Sequence, residues 1–78
     1  MNTDLVNHPP HYTQGGVECI QAIEAMTGNP KWPAARGYLL GNVLKYIWRH
    51  ADKDPVQSLE KARWYLDRAI ARMKEDGP

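Results

Sequence analysis

Several residue patterns are scarce in this sequence, and each shortage excludes a class of protein. A single cysteine, Cys19, cannot form an intramolecular disulfide. No positively charged start leads into an apolar run long enough for a signal peptide or a membrane span. We therefore expect a cytoplasmic protein that does not associate with membranes.

Recognisable catalytic motifs are also absent from the sequence. It has no G-x-x-x-x-G-K-[ST] phosphate-binding loop, and no arrangement of serine, cysteine or histidine suggests an activated nucleophile. The nine acidic residues form no paired-carboxylate cluster on any predicted helix. We therefore predict no metal site and no cofactor, with magnesium required only if the chain is a kinase.

The charges that are present are unevenly distributed along the chain. Residues 1–30 hold three acids and no Lys or Arg, whereas residues 31–50 hold four bases and no acid. Residues 61–74 hold five bases and one acid. The net charge of +1 thus hides two basic segments that would attract an anionic ligand. Nucleic acid is not the expected partner, because the sequence pI of about 7.9 is well below that of typical nucleic-acid-binding domains.

The hydrophobic periodicity is helical throughout the chain. Seventy-eight residues, 42% of them hydrophobic, suit one small domain over residues 1–78. We predict an extended arm over residues 1–16 and helices over about 17–26, 34–51 and 55–75, the last two forming an antiparallel hairpin. The predicted fold is therefore an all-α, three-helix domain, and its small core favours a homo-oligomer.

Local signals define the predicted helices more closely. Asp54 as N-cap, Pro55 at the first position and Gln57 at the third suit a capping box at the start of the third helix. The predicted core stripes are Val17, Ile20, Ile23 and Met26 in the first helix; Leu40, Val43 or Leu44, Ile47 and Ala51 in the second; and Leu59, Ala62, Leu66, Ala69 or Ile70, and Met73 in the third.

The polar sides of the two long helices combine cations with aromatic rings. On each helix, polar or aromatic residues recur at steps of three and four, as in Tyr38, Asn42, Lys45 and Arg49. Cations can pair with phosphates while flat rings stack on a base. The alternative is a solvated face with tyrosines packed at its margins. The candidate ligand-binding residues of the helices are Asn42, Lys45, Tyr46, Arg49, Lys61, Trp64, Tyr65 and Arg68.

The N-terminal arm contains the segment His8-Pro9-Pro10-His11-Tyr12. In polyproline II the two histidines would point the same way with backbones about 9 Å apart, so a shared metal ion would require the arm to bend. Glu18, Cys19 or His50 could add ligands, although their spacing matches no familiar metal motif. We predict that His8, His11 and Tyr12 close over an anionic ligand or a subunit joint. The alternative is an arm that only packs on the helices.

Four motifs in this order resemble a known family: NHPPHY, GGVECIQAIEAM, GNVLKYIWRH and SLEKARWYLDR. Together they resemble the SaV-like family of small bacteriophage proteins, often labelled "nucleotide kinase", over about residues 7–70. The resemblance implies a phage or prophage origin and a link to nucleotides, because longer members are described as phosphorylating deoxynucleoside monophosphates. It supplies no catalytic residues.

Three functions remain open from the sequence. The first is binding, without turnover, of a nucleotide or nucleotide-derived phosphorylated ligand, such as a host immune signalling nucleotide that the phage sequesters as an anti-defence measure. The second is a nucleoside monophosphate kinase with its site between subunits. The third is a protein-binding module that modulates the host. We favour binding, because a chain without a P-loop or acidic cluster is poorly equipped for phosphoryl transfer.

Overall fold

The structure is a computed structural model, which describes residues 13–77. Two short strands, β1 (Thr13–Gln14) and β2 (Val17–Glu18), precede three helices, α1 (Cys19–Thr27), α2 (Ala34–Arg49) and α3 (Pro55–Asp76). The predicted all-α class is confirmed, since the two strands add only a minimal hairpin. Among residues 13–77, no helix is long and apolar enough to cross a membrane.

The β-hairpin is a feature that the sequence analysis did not predict. Thr13 pairs with Glu18 and Gln14 with Val17 in antiparallel register. Gly15 and Gly16 form the turn with φ angles of 57° and 78°, a left-handed pair that glycine adopts without steric cost. The extended arm predicted to reach residue 16 therefore ends in a strand and a turn.

The first helix starts two residues later than predicted, because Val17 and Glu18 belong to β2. Glu18 is its N-cap within a capping box, in which the Glu18 backbone N–H donates to Gln21 Oε1 at 3.0 Å. The predicted placement of Val17 and Ile20 in the core is wrong, because Val17 is exposed and Ile20 is 52% exposed. Cys19 is the buried residue of α1.

Helix α1 packs against α2 at two glycines of α2, Gly37 and Gly41. A Cβ atom added to Gly41 would lie 3.2 Å from Ile23 Cγ2, and one added to Gly37 would lie 3.6 Å from Thr27 Cβ. The missing side chains let the two helices approach closely. Gly41 is accordingly buried.

Helix α3 packs against the opposite side of α2. Leu39 and Ala69 line a common crevice, and both are buried, as is Ala62. Leu39 and Gly41 are two residues apart, about 200° around the helix, so α1 and α3 lie on opposite sides of α2. The three helices therefore form a single layer with two open faces.

This layered arrangement corrects several predicted core positions. Ala62 and Ala69 are buried as predicted, and Leu39 and Ser58, which the periodicity did not single out, are buried beside them. The predicted core residues that are exposed instead are Ile47, Ala51, Leu59, Leu66 and Met73, and of the alternatives Ala69 and Ile70 it is Ala69 that is buried. Helix α3 packs on only one neighbour and buries a narrow stripe, so the rest of its apolar stripe stays open.

The turn into α3 also differs from the prediction. Helix α2 ends at Arg49 rather than at Ala51. Asp54 is the N-cap of α3, but it has left-handed backbone with φ 46° and makes no side-chain cap hydrogen bond, so the capping box is wrong. Ser58, which is 2% exposed, donates its hydroxyl to the Lys53 carbonyl at 2.6 Å instead.

Candidate functional site

Three cationic side chains surround the ring of Tyr46. Lys45 Nζ lies 4.6 Å from the ring centroid, Arg49 Cζ 4.9 Å and Lys61 Nζ 5.5 Å. Distances of this size suit cation–π attraction. Two of the cations come from α2 and the third from α3, so the pairing of these two helices assembles a charge cluster that neither helix holds alone.

A group of aromatic rings continues from Tyr46 onto α3. Tyr46 and Tyr65 are stacked, with centroids 5.8 Å apart and an angle of 18° between their planes. Tyr38 meets Tyr65 edge-on at 6.2 Å, and Trp64 does so at 5.0 Å. Such pairs are typical of ordered aromatic packing. Tyr65 is the ring that joins the others.

The cations and rings together form one face of the helical layer, which we call the basic–aromatic face. Its members on α2 recur at helical spacing, and its members on α3 meet them because the hairpin is antiparallel. The face comprises Tyr38, Asn42, Lys45, Tyr46, Arg49, Lys61, Trp64 and Tyr65.

The rings of this face differ in how much surface they offer a ligand. Tyr38 is 65% exposed and Trp64 is 61% exposed, whereas Tyr46 and Tyr65 are half-buried. Because Tyr46 and Tyr65 are stacked, each ring covers one face of the other. Trp64 and Tyr38 are therefore the rings best placed to stack on an added planar group.

Two ionisable groups in or beside the face have shifted pKa values. The pKa of Tyr65 is raised, first by its hydrogen bond with Tyr38, then by burial and by the neighbouring hydroxyls of Tyr38 and Tyr46. Burial raises the pKa of the Cys19 thiol, and the positive charge of Lys45 partly opposes that shift. Neither group is thereby prepared as a base or nucleophile at neutral pH.

The pairing of α2 and α3 brings most of the predicted site residues together. Lys45, Arg49 and Lys61 contact the Tyr46 ring, which stacks on Tyr65, and Trp64 contacts Tyr65. The Asn42 side-chain amide donates to the Tyr38 carbonyl at 2.9 Å, so one of its polar groups is used within the helix. Arg68 is exposed on α3, one turn beyond Trp64.

Two further outcomes concern residues at the edges of the candidate site. His8, His11 and Tyr12 lie outside the described residues. Tyr38 was noted only as part of a polar stripe and was missed as a site residue, although its contact with Tyr65 makes it a member of the aromatic group. Its four-residue spacing from Asn42 was the available signal.

The described part of the chain also bears on the metal ligands weighed from the sequence. No group of three or more His, Cys, Asp or Glu side chains within residues 13–77 is placed to hold a metal ion. Cys19 is buried, and His50 Nδ1 lies 2.6 Å from the Ile47 carbonyl oxygen. These positions give Cys19 and His50 local structural roles.

A model of the family described as a protein of unknown function, DUF3310, matches residues 6–67. The chain belongs to this family. The DUF3310 match includes every residue of the basic–aromatic face and ends one residue before Arg68. It also includes the HPPHY segment.

One curated relative is the gene 1.7 protein of Enterobacteria phage T3, which is 38% identical over 56 residues. The match covers 72% of this chain and 33% of the phage T3 protein, so this DUF3310 chain spans about a third of that relative's length. No solved structure matches the chain. The relative supports the bacteriophage origin expected from the sequence.

Proposed function

We propose that the basic–aromatic face binds a nucleotide or a nucleotide-derived phosphorylated ligand without turning it over. The observation that carries the proposal is the convergence of Lys45, Arg49 and Lys61 on the single ring of Tyr46. Three cations that converge on one ring offer an anion several charged donors in one place. Phosphate suits these donors, because guanidinium and ammonium groups both bind its oxygens.

The neighbouring rings favour a nucleotide over a simple phosphate ester. Trp64 and Tyr38 offer exposed ring surface beside the cations, and stacking of a base on an aromatic side chain contributes about 1–3 kcal/mol. In this arrangement Lys45, Arg49 and Lys61 hold the phosphates while Trp64 stacks on the base. Arg68 extends the positive charge along α3.

The start of the described chain lies close to the cationic end of this face. The Gln14 side-chain amide donates to the Trp48 carbonyl, so the β-hairpin is held at the carboxyl end of α2, next to Arg49. Residues 8–12 immediately precede this hairpin. We propose that His8, His11 and Tyr12 close over the bound ligand from there.

The biological setting of the proposal comes from the family resemblance. A SaV-like phage protein that acts in the cytoplasm of the infected host would encounter host signalling nucleotides. Sequestration of such a nucleotide fits a chain with a binding face and no recognised catalytic motif. Stoichiometric expression and tight ligand retention are what this role requires.

The proposal is tested by calorimetric titration of the purified protein with ATP, deoxynucleoside monophosphates, a cyclic dinucleotide, inorganic phosphate and an uncharged nucleoside. We expect at least one nucleotide to bind more tightly than phosphate or nucleoside alone, because only a nucleotide uses both the cations and the rings. Lys61→Ala should weaken that binding roughly 10- to 100-fold, as expected for loss of one charged hydrogen bond. Trp64→Ala should weaken nucleotide but not phosphate binding.

Lys31→Ala is the matched control, since it removes the same charge from an exposed position before α2. If Lys31→Ala and Lys61→Ala weaken binding equally, the attraction is only a general charge effect and the site is wrong. Incubation with labelled ATP, magnesium and monophosphates examines turnover. Sustained product formation abolished by Lys45→Ala would replace the binding proposal with the kinase alternative, whereas recovery of intact ligand after heat release supports binding.

A further inference from the structure

The face of the helical layer opposite the basic–aromatic face is apolar. Ile47 of α2 and Leu59, Leu66, Ile70 and Met73 of α3 are each 40% to 46% exposed. On a helical wheel the four α3 residues lie within about 60° of one another, and their centre is about 70° from the centre of the stripe that contacts α2. We call these five residues the apolar face.

The core of the described residues is too small to account for the apolar content of the chain. Its buried apolar side chains are Cys19, Leu39, Ala62 and Ala69, of which only Leu39 is large. Domains of this size bury a limited share of their surface and often gain the remainder by association. Covering the apolar face would bury large side chains of α2 and α3 that are partly exposed in the single chain.

The spacing on α3 shows what kind of surface would cover it. Leu59, Leu66 and Met73 recur at intervals of seven residues, which is the repeat of helices that pack along their length. The stripe spans about 21 Å at 1.5 Å per residue, and its ends are chemically alike. Such a stripe is complementary to a copy of itself.

The charges beside the stripe set the direction of that copy. Glu60, Asp67 and Lys74 follow one edge of the apolar face, also seven residues apart. In a parallel copy the charged edges of the two helices would lie on opposite flanks of the contact, so these charges would not pair with one another. An antiparallel copy with its two-fold axis near Leu66 and Asp67 would place Glu60 close to Lys74 of the other copy at both ends, and these two attractive pairs outnumber the one Asp67–Asp67 repulsion at the centre.

We propose that two copies of this chain associate through the apolar face, with their α3 helices antiparallel and crossing near Leu66. Leu59 of each copy then packs near Met73 of the other, and Ile47 widens the contact onto α2. The face measures about 21 Å by the width of two helices, several hundred Å² per copy, which is the size of a weak, concentration-dependent interface. The basic–aromatic faces remain open on the outer sides of the dimer, so this association does not depend on the ligand.

Sedimentation velocity of the full chain over a wide concentration range tests the dimer. We expect the wild type to dimerise, and Leu66→Glu to self-associate at least roughly 30-fold more weakly, the change expected for loss of a central contact. Ala71→Glu is the matched control, because it adds the same carboxylate to an exposed position about 140° away on α3. It should dimerise as the wild type does.

Cysteine cross-linking keeps the test decisive if Leu66→Glu fails to fold. Asp67→Cys should form a disulfide-linked dimer under mild oxidation, because the two copies of residue 67 lie near the two-fold axis, whereas Ala71→Cys should not. A monomeric wild type would overturn the proposal and would leave residues 1–12 of the same chain as the candidate cover. An oligomer that neither Leu66→Glu nor the cysteine pair affects would place its interface elsewhere and would also overturn it.

Discussion

The contact between α1 and α2 makes a quantitative prediction at two glycines. Both Gly37 and Gly41 lie inside α2 and face α1, but they differ in the space beside them. An added Cβ at Gly37 meets Thr27 at 3.6 Å, an ordinary van der Waals contact. An added Cβ at Gly41 meets Ile23 at 3.2 Å, which is tighter than about nine in ten natural Cβ contacts.

The expected magnitudes follow from these distances. Replacing a helical glycine with alanine stabilises a protein by about 0.5–1 kcal/mol when the new methyl group fits. We expect Gly37→Ala to show this gain and Gly41→Ala to show less of it, since Ile23 must move. Gly41→Val adds two further carbons to the same contact, and overpacking of this kind costs about 1–3 kcal/mol.

Urea unfolding followed by circular dichroism measures the three variants, at several protein concentrations so that any association is separated from folding. Gly37→Ala and Gly41→Ala share the same change in helix propensity, so the difference between them reports the contact with α1. The reasoning is refuted if Gly41→Val is as stable as the wild type, or if Gly41→Ala gains as much as Gly37→Ala.

Two titration predictions follow from the pKa shifts. Because burial raises the pKa of Cys19, native protein should react with iodoacetamide more slowly than urea-unfolded protein at mildly alkaline pH. Lys45→Ala should slow the native reaction further, since it removes the charge that opposes the pKa shift. Equal reaction rates for native and unfolded protein would contradict this prediction. The raised pKa of Tyr65 favours its neutral form in the folded state, so its contribution to stability is complete below the ordinary tyrosine pKa and is lost as pH rises through the folded value. Tyr38→Phe should lower the pKa of Tyr65, which can be followed by ultraviolet absorbance titration. The Tyr65→Phe variant identifies which part of the signal belongs to Tyr65. An unchanged Tyr65 pKa in Tyr38→Phe would show that the hydrogen bond is unimportant.

The helices and the candidate cations could be predicted because their signals are local. Helical periodicity, together with the helix-end signal at Gly28 and the helix-start signals at Pro33 and Pro55, predicted the bounds of the three helices to within about two residues. The spacing of Lys45 and Arg49 placed both on one side of α2, and the structure keeps them there. These properties depend on neighbours within one or two turns, which the sequence records directly.

The buried stripes could not be predicted in the same way. Leu39 and Leu40 are adjacent and equally apolar, but only Leu39 is buried, because it faces α3. Periodicity identifies an apolar side of a helix, whereas the position of its neighbour decides which edge of that side is covered. The hairpin at Gly15 and Gly16 was missed because two-residue strands are too short to show an alternating pattern.

Short-range periodicity was enough to predict the helical class, the approximate helix bounds and the basic sides of α2 and α3. Long-range packing sets the position of α2 between its neighbours, because that arrangement depends on the close approach at Gly41 and on the packing of Leu39 beside Ala69. It also decided that Lys61 and Tyr65 meet Tyr46 across the hairpin, a contact set by the long-range alignment of two helices.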